Sequence, residues 1–150
     1  TAATLTVDNG YVREVIPGNT ITSAYMTINN ELEHELVLVN VSSDVSPRIE
    51  IHEHLMEDGM MKMRQLPSLS IAGKDSVTLQ PMGYHLMMFD LQQPVKSGDT
   101  VEMTLYFNDK TIYMDDYISG FVVCAIVFCV SYKIFVQRKG RFFLYEKQTL

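Results

Sequence analysis

Four side chains that can bind a soft metal ion lie at a distinctive spacing in the middle of the chain. His52, Met63, His85 and Met87 form the pattern His-x10-Met-x21-His-x-Met, which contains two imidazoles and two thioethers and no thiolate. Thioether sulfur is a soft donor that disfavours magnesium, calcium and manganese, whereas imidazole tolerates either oxidation state of copper. The pattern therefore predicts a Cu(I) site that holds reduced copper and can still release it.

Other histidine and methionine residues lie close to these four in the sequence. His54 is two residues from His52, so it is a candidate substitute or secondary ligand, and Met61 is a second candidate secondary ligand. Methionine is also a common filler of hydrophobic cores, and we assign the isolated Met26, Met103 and Met114 to packing. A thioether rim around the metal and ordinary burial both remain open for Met56, Met60, Met61, Met82 and Met88.

In the segments that must position these ligands, apolar residues recur with the period of two that is typical of β-strands, rather than with the helical period of 3.6. Short segments rich in β-branched, aromatic and methionine residues are separated by turn signals such as Asn9-Gly10, Pro17-Gly18 and Asp58-Gly59. About nine short strands at this spacing favour an all-β Greek-key sandwich or barrel. The predicted strands cover residues 5–7, 11–16, 24–28, 36–41, 49–56, 60–66, 77–81, 84–89 and 101–107.

The sequence also predicts how two of these strands, residues 49–56 and 60–66, pair with each other. If Asp58-Gly59 forms a two-residue hairpin turn, alternation places His52, His54 and Met63 on one face of the hairpin. His85 and Met87 share a face of their own strand because they are two residues apart. Spacing alone does not fix how that strand packs against the hairpin. The predicted cross-strand pairs are His54 with Met63, Met56 with Met61, and Glu53 with Arg64.

Four stretches around the candidate ligands resemble the periplasmic copper chaperone family (PCuAC). They are Ile-Glu-Ile-His-Glu at 49–53, Glu-Asp-Gly-Met-Met-Lys-Met-Arg at 57–64, Leu-Gln-Pro-Met-Gly-Tyr-His-Leu-Met at 79–87 and Gly-Asp-Thr-Val at 98–101. The resemblance covers residues 4–116. It implies a cupredoxin-like fold, a four-ligand cup of His52, Met63, His85 and Met87, and delivery of Cu(I) to the CuA centre of cytochrome c oxidase. Met82 departs from the family pattern, which more often has a second glycine beside Gly83.

Charge and composition exclude several other classes of function. Residues 1–117 contain 7 Lys/Arg and 17 Asp/Glu, a net charge of −10, and an acidic body without a basic patch argues against nucleic-acid binding. An electron-transfer cupredoxin requires a cysteine ligand, and the cysteines, Cys124 and Cys129, lie far from the predicted site. Neither a Ser-His-Asp arrangement nor a glycine-rich phosphate loop is present. We therefore expect a protein that is not an enzyme.

The tail, residues 117–150, has a different composition from the body, residues 1–116. Residues 118–150 carry 5 Lys/Arg and 1 Asp/Glu, a net charge of +4, and residues 117–132 contain no charged side chain. Because a spanning helix needs about 20 apolar residues, residues 117–136 are predicted as a transmembrane anchor, with Lys133 reaching the interface. The alternatives are one or two extra buried strands or a docked helix, and an irregular terminus.

Two functions use the predicted site equally well. One is a metallochaperone that binds Cu(I) and passes it by ligand exchange to the CuA subunit of cytochrome c oxidase or to another copper chaperone. The other is a copper-buffering or tolerance protein without a dedicated acceptor. The sequence begins at Thr1-Ala2-Ala3 without a charged and apolar leader, as a processed extracytoplasmic protein would, and a truncated sequence would look the same. We expect a periplasmic monomer, with the segment 117–136 anchoring it to the inner membrane.

Overall fold

The computed structural model of the chain describes residues 5–109 and 127–137. This part of the chain contains ten β-strands and no helix, and hence no helix that is long and apolar enough to cross a membrane. The strands are β1 (Leu5–Arg13), β2 (Thr22–Asn30), β3 (Leu36–Ser43), β4 (Arg48–Glu57), β5 (Met60–Leu66), β6 (Leu69–Ile71), β7 (Asp75–Leu79), β8 (Tyr84–Phe89), β9 (Thr100–Asp109) and β10 (Val127–Gln137).

The strands form one sheet in which hydrogen-bonded neighbours have the order β5-β4-β8-β2-β1-β10-β9-β3-β6. In addition, β7 pairs with β2. All pairings are antiparallel except the parallel pair of β1 and β10. Residues from both ends of this order meet in one core, in which Ile51 and Leu86 join Leu38 and Phe107. The sheet therefore folds over on itself, and the predicted all-β architecture is confirmed.

Alternation along β8 separates the core from the candidate ligands. Leu86 and Met88 are fully buried in the core, whereas His85 and Met87 project from the other face of the same strand. In β4, Ile49 and Ile51 likewise face the core. The sheet of β5, β4, β8 and β2 consequently has a second face, away from the core, on which polar and sulfur-containing side chains collect.

Two local features differ from the expected strand pattern. Asn9-Gly10 lies inside β1 as an irregularity in its pairing with β2, with a φ of 54° at Asn9, instead of forming a turn between two strands. The short strand β6 was not predicted, because its three residues are too few to show alternation. Neither difference changes the strands that carry the candidate ligands.

The tail contributes a strand where the anchor hypothesis requires a helix. Residues 127–137 form β10, which lies between β9 and β1, so the helix predicted for residues 117–136 is not found over residues 127–136. The rest of that prediction, residues 117–126, lies outside the described residues, as do Cys124 and Met114. Val, Ile and Phe suit strands as well as membranes, and the position between two long strands gives the backbone groups of β10 hydrogen-bond partners.

Candidate metal centre

The hairpin of β4 and β5 has the register that the sequence predicts. Asp58 and Gly59 form its two-residue turn with φ values of 51° and 74°, the left-handed conformations that a type I′ turn requires. His54 pairs with Met63, Met56 with Met61, and Glu53 with Arg64, whose side chains form an ion pair. The predicted hairpin is therefore confirmed in both its turn and its pairing.

Strand β8 lies on the other side of β4 and completes the group. His85 pairs directly with His52, and Met87 pairs directly with Glu50. Met87 is therefore diagonal to His52 across β4 and β8, and Met63 is diagonal to His52 across β4 and β5. Three adjacent strands thus place all four residues of the His-x10-Met-x21-His-x-Met pattern on one face around His52.

His85 is the most buried member of the group. Its Nδ1 lies 3.1 Å from the carbonyl oxygen of Gly83, which can only accept, so Nδ1 donates and the neutral ring has its lone pair on Nε2. That Nε2 is 3.1 Å from the sulfur of Met63. Desolvation by burial, together with the nearby His54 and His52, lowers the pKa of His85 against the opposing effect of Gly83. A neutral imidazole nitrogen and a thioether sulfur therefore face each other as two electron-pair donors.

His52 is oriented by a carboxylate. Its Nε2 is 2.8 Å from Oε2 of Glu50, and Glu50 in turn forms an ion pair with Arg48. The hydrogen bond to His52 is the largest cause of the lowered pKa of Glu50, so the carboxylate stays ionised and accepts the Nε2 proton. The other nitrogen, Nδ1, is buried and has no hydrogen-bond partner among the described residues. It is available to a metal ion.

His54 lies closer to His85 than His52 does. Its ring stacks on that of His85 with 4.9 Å between the ring centroids, compared with 5.8 Å between His52 and His85. Its Nδ1 is also buried without a partner in the described part of the chain. Two unpaired buried nitrogens on neighbouring histidines are unusual, because burying a polar group without a hydrogen bond is costly. Each of these nitrogens is therefore a candidate metal ligand.

The remaining methionines divide into two groups. Met26, Met88 and Met103 are buried in the core. The prediction that Met26 and Met103 serve packing is therefore confirmed. The alternative that placed Met88 in a thioether rim around the metal is wrong. Met56, Met60, Met61 and Met82 are exposed, which contradicts their alternative assignment to ordinary burial. Met82 has a φ of 68°, and this left-handed backbone explains why glycine suits that position better.

The donor set fits copper better than a harder metal. No group of three or more His, Cys, Asp and Glu side chains within residues 5–109 and 127–137 is arranged to hold a metal ion. The convergent donors are imidazole nitrogens and thioether sulfurs, which suit Cu(I). Sequence reasoning found these residues but missed Glu50, although its position two residues before His52 in a strand places it on the same face.

The fold defines the class of protein. It is similar to the copper-bound PCuAC domain from PmoF2, with a TM-score of 0.66 at 19% identity over 92% of this chain and 97% of that domain. It is also similar to the Cu(I)-bound DR1885 from Deinococcus radiodurans, with a TM-score of 0.56 at 30% identity over 68% of each chain. The cupredoxin-like PCuAC fold and the resemblance to that family are thus confirmed.

Sequence comparison places the chain in a named family. Residues 5–113 match the model of the putative lipoprotein LpqE-like family, and the chain belongs to that family. It is 35% identical over 89 residues to the uncharacterized protein RP573 of Rickettsia prowazekii, and 26% identical over 93 residues to the putative lipoprotein Lxx21020 of Leifsonia xyli subsp. xyli. The matched regions span 49% and 56% of these two relatives.

Proposed function

We propose that the protein is a Cu(I)-binding metallochaperone whose cup consists of His52, Met63, His85 and Met87. The contact of 3.1 Å between Nε2 of His85 and the sulfur of Met63 carries the proposal, because no proton is available to lie between these two donors in the neutral state. A soft cation bound by both relieves the repulsion between their lone pairs. The Cu(I)-bound state of the similar DR1885 supports the choice of ion.

The exposure of the ligands suits transfer by ligand exchange. His85 is only 3% exposed, whereas Met63 is 51% exposed on β5, which lies at the end of the strand order. A buried imidazole retains the ion while an exposed thioether can be replaced by a ligand of the acceptor. Thioethers carry no charge and bind no proton near neutral pH, so their exchange needs no proton transfer.

The proposed acceptor is the CuA subunit of cytochrome c oxidase or another copper chaperone, and the proposed location is outside the cytoplasm. The PCuAC resemblance supports the acceptor, and the lipoprotein descriptions of the family and of the Leifsonia relative support the location. The function is binding and transfer, without a catalysed reaction. The chain is proposed to act as a monomer.

The copper site is tested by anaerobic titration with Cu(I) against a competing chelator. We expect one tightly held ion per chain, mixed nitrogen and sulfur scattering in X-ray absorption, and weak competition by zinc. The paired variants Met63→Leu and Met60→Leu change the same residue type on opposite faces of β5. Only Met63→Leu should weaken the tight site. Tight zinc binding without sulfur scattering would show that the assignment is wrong.

Delivery is tested separately from binding. The Cu(I)-loaded protein is mixed with an apo CuA domain, and copper is measured on each protein after separation. A chaperone transfers the ion faster than free chelated Cu(I) at the same concentration does. A protein that binds Cu(I) tightly and transfers it no faster than the chelator is a buffer, the alternative function that uses the same ligands.

A further inference from the structure

Exposed thioethers concentrate on the β4–β5 hairpin. These two strands contain Met56, Met60, Met61 and Met63, and each of these residues is at least 44% exposed. Met63 belongs to the proposed cup, and the other three have no role there. Methionine is an apolar residue that is ordinarily buried, so this surface calls for a ligand or partner that uses sulfur.

Two of the three remaining methionines lie on the same face as the cup. Met56 and Met61 pair directly across the hairpin, next to the pair of His54 and Met63. Directly opposed residues in an antiparallel pair have Cβ atoms about 4.5–5.5 Å apart, and methionine side chains are flexible enough to bring two sulfurs onto one ion. Met60 projects from the opposite face, since it is one residue away from Met61.

A nitrogen donor lies beside this sulfur pair. His54 precedes Met56 by two residues on β4, so both side chains project from the same face. Its Nδ1 is buried and has no hydrogen-bond partner among the described residues. The four-ligand cup does not use this nitrogen. Two thioethers and an imidazole form a donor set of the soft type that selects Cu(I).

The geometry points to a second Cu(I) site formed by Met56, Met61 and His54, which receives the ion and passes it to the cup. The inference rests on the proposed function of the cup, because it explains how the ion enters. Met63 connects the two sites: it is two residues from Met61 on the same face, and its sulfur lies 3.1 Å from Nε2 of His85.

The transfer step needs no other reactant. Bonds from copper to the sulfurs of Met56 and Met61 and to Nδ1 of His54 break. Bonds to the sulfurs of Met63 and Met87, to Nε2 of His85 and to Nδ1 of His52 form in their place. Copper stays Cu(I), all the exchanged donors are neutral, and no proton or electron is gained or lost. The entry site is more exposed than the cup, so water competes for it and it holds the ion less tightly.

The two sites can be resolved by NMR of the full-length protein labelled with ¹³C at the methionine methyl groups. During anaerobic titration with Cu(I), the first equivalent should shift the resonances of Met63 and Met87. The second, weaker equivalent should shift those of Met56 and Met61, while Met60 stays unchanged. Resonances of Met56 and Met61 that do not respond to any amount of Cu(I) would overturn the inference.

A double variant tests the ligands directly. Met56→Leu with Met61→Leu removes both sulfurs and keeps the apolar surface, and Met60→Leu is the matched control on the other face of the hairpin. We expect the double variant to lose the second equivalent, keep the first and load it more slowly, and the control to behave as the unmodified protein. All three proteins should retain the same circular dichroism spectrum, because these side chains are exposed.

The failure of this inference is distinguishable from the failure of the proposed function. If the double variant binds both equivalents normally and is slow only in transfer to an acceptor, the methionines form a docking surface and the second site is wrong. If the first equivalent leaves Met63 and Met87 unshifted in the unmodified protein, the cup itself is wrong.

Discussion

At the scale of single residues, each histidine of the proposed cup has a free nitrogen because its other nitrogen is engaged. Gly83 accepts the Nδ1 proton of His85 and thereby leaves Nε2 free. Glu50 accepts the Nε2 proton of His52 and leaves Nδ1 free. Metal-binding histidines commonly donate their second ring proton to a carboxylate or a backbone carbonyl in this way, which sets the tautomer and the ring orientation. The positioning is therefore present before any metal binds.

Glu50 is thus a positioning residue, and its replacement by alanine should weaken the cup. Loss of such a partner typically costs 10–100-fold in metal affinity, so we expect Glu50→Ala to lower Cu(I) affinity by about tenfold or more. ¹⁵N NMR of the imidazoles should show that His52 no longer keeps its proton on Nε2. Chelator competition measures the affinity.

The matched control for Glu50 is Glu53→Ala, since Glu53 lies on the same strand with an ion pair to Arg64 on the opposite face. Both substitutions remove one carboxylate and one ion pair, but only the first one touches a proposed ligand. Equal Cu(I) affinities and an unchanged His52 tautomer in the two variants would contradict a positioning role for Glu50.

At the scale of secondary structure, the site combines a part that the sequence predicts well with a part that it does not. The β4–β5 hairpin follows from local chemistry, because Asp58 and Gly59 adopt the turn conformations that determine the register of every following pair. The pairing of β8 with β4 joins residues that are 31 to 41 positions apart in the sequence, and no local rule determines it. The convergence of His85 with His52 therefore came from the family resemblance and not from alternation.

Glycine at position 59 should support both stability and copper binding. Its φ of 74° would strain an L-residue, so Gly59→Ala is expected to destabilise the protein by roughly 1–2 kcal/mol and to loosen β5, which carries Met63. Urea denaturation measures the free energy of unfolding, and chelator competition measures the Cu(I) affinity.

Gly18→Ala is the matched control, because Gly18 has a φ of 93°, an added Cβ would meet no atom within 4 Å, and the residue lies between β1 and β2. It should lower stability by a similar amount and leave copper affinity unchanged. If both variants lost the same copper affinity, the loss would reflect general instability, and the specific role of the hairpin turn would be refuted.

At the scale of the whole molecule, residues 127–137 of the tail form a strand of the sheet. β10 pairs with β9 from Phe135 to Val127 and with β1 at residues 11–13, so it lies between two strands of the body. Composition could not reveal this, because a run of apolar and β-branched residues is compatible with a membrane-spanning helix and with a buried β-strand.

Removal of residues 117–150 should therefore damage the fold. A chain ending at Asp116 leaves β1 and β9 with unpaired backbone groups along their facing edges, and exposed strand edges promote aggregation. We expect this chain to melt at a lower temperature and to elute as aggregates in size-exclusion chromatography. A chain ending at Gln137 keeps β10 and should match the full-length protein. If the chain ending at Asp116 is instead monomeric, fully stable and able to bind Cu(I), while the full chain partitions into detergent, the tail is a membrane anchor and β10 is not part of the working sheet.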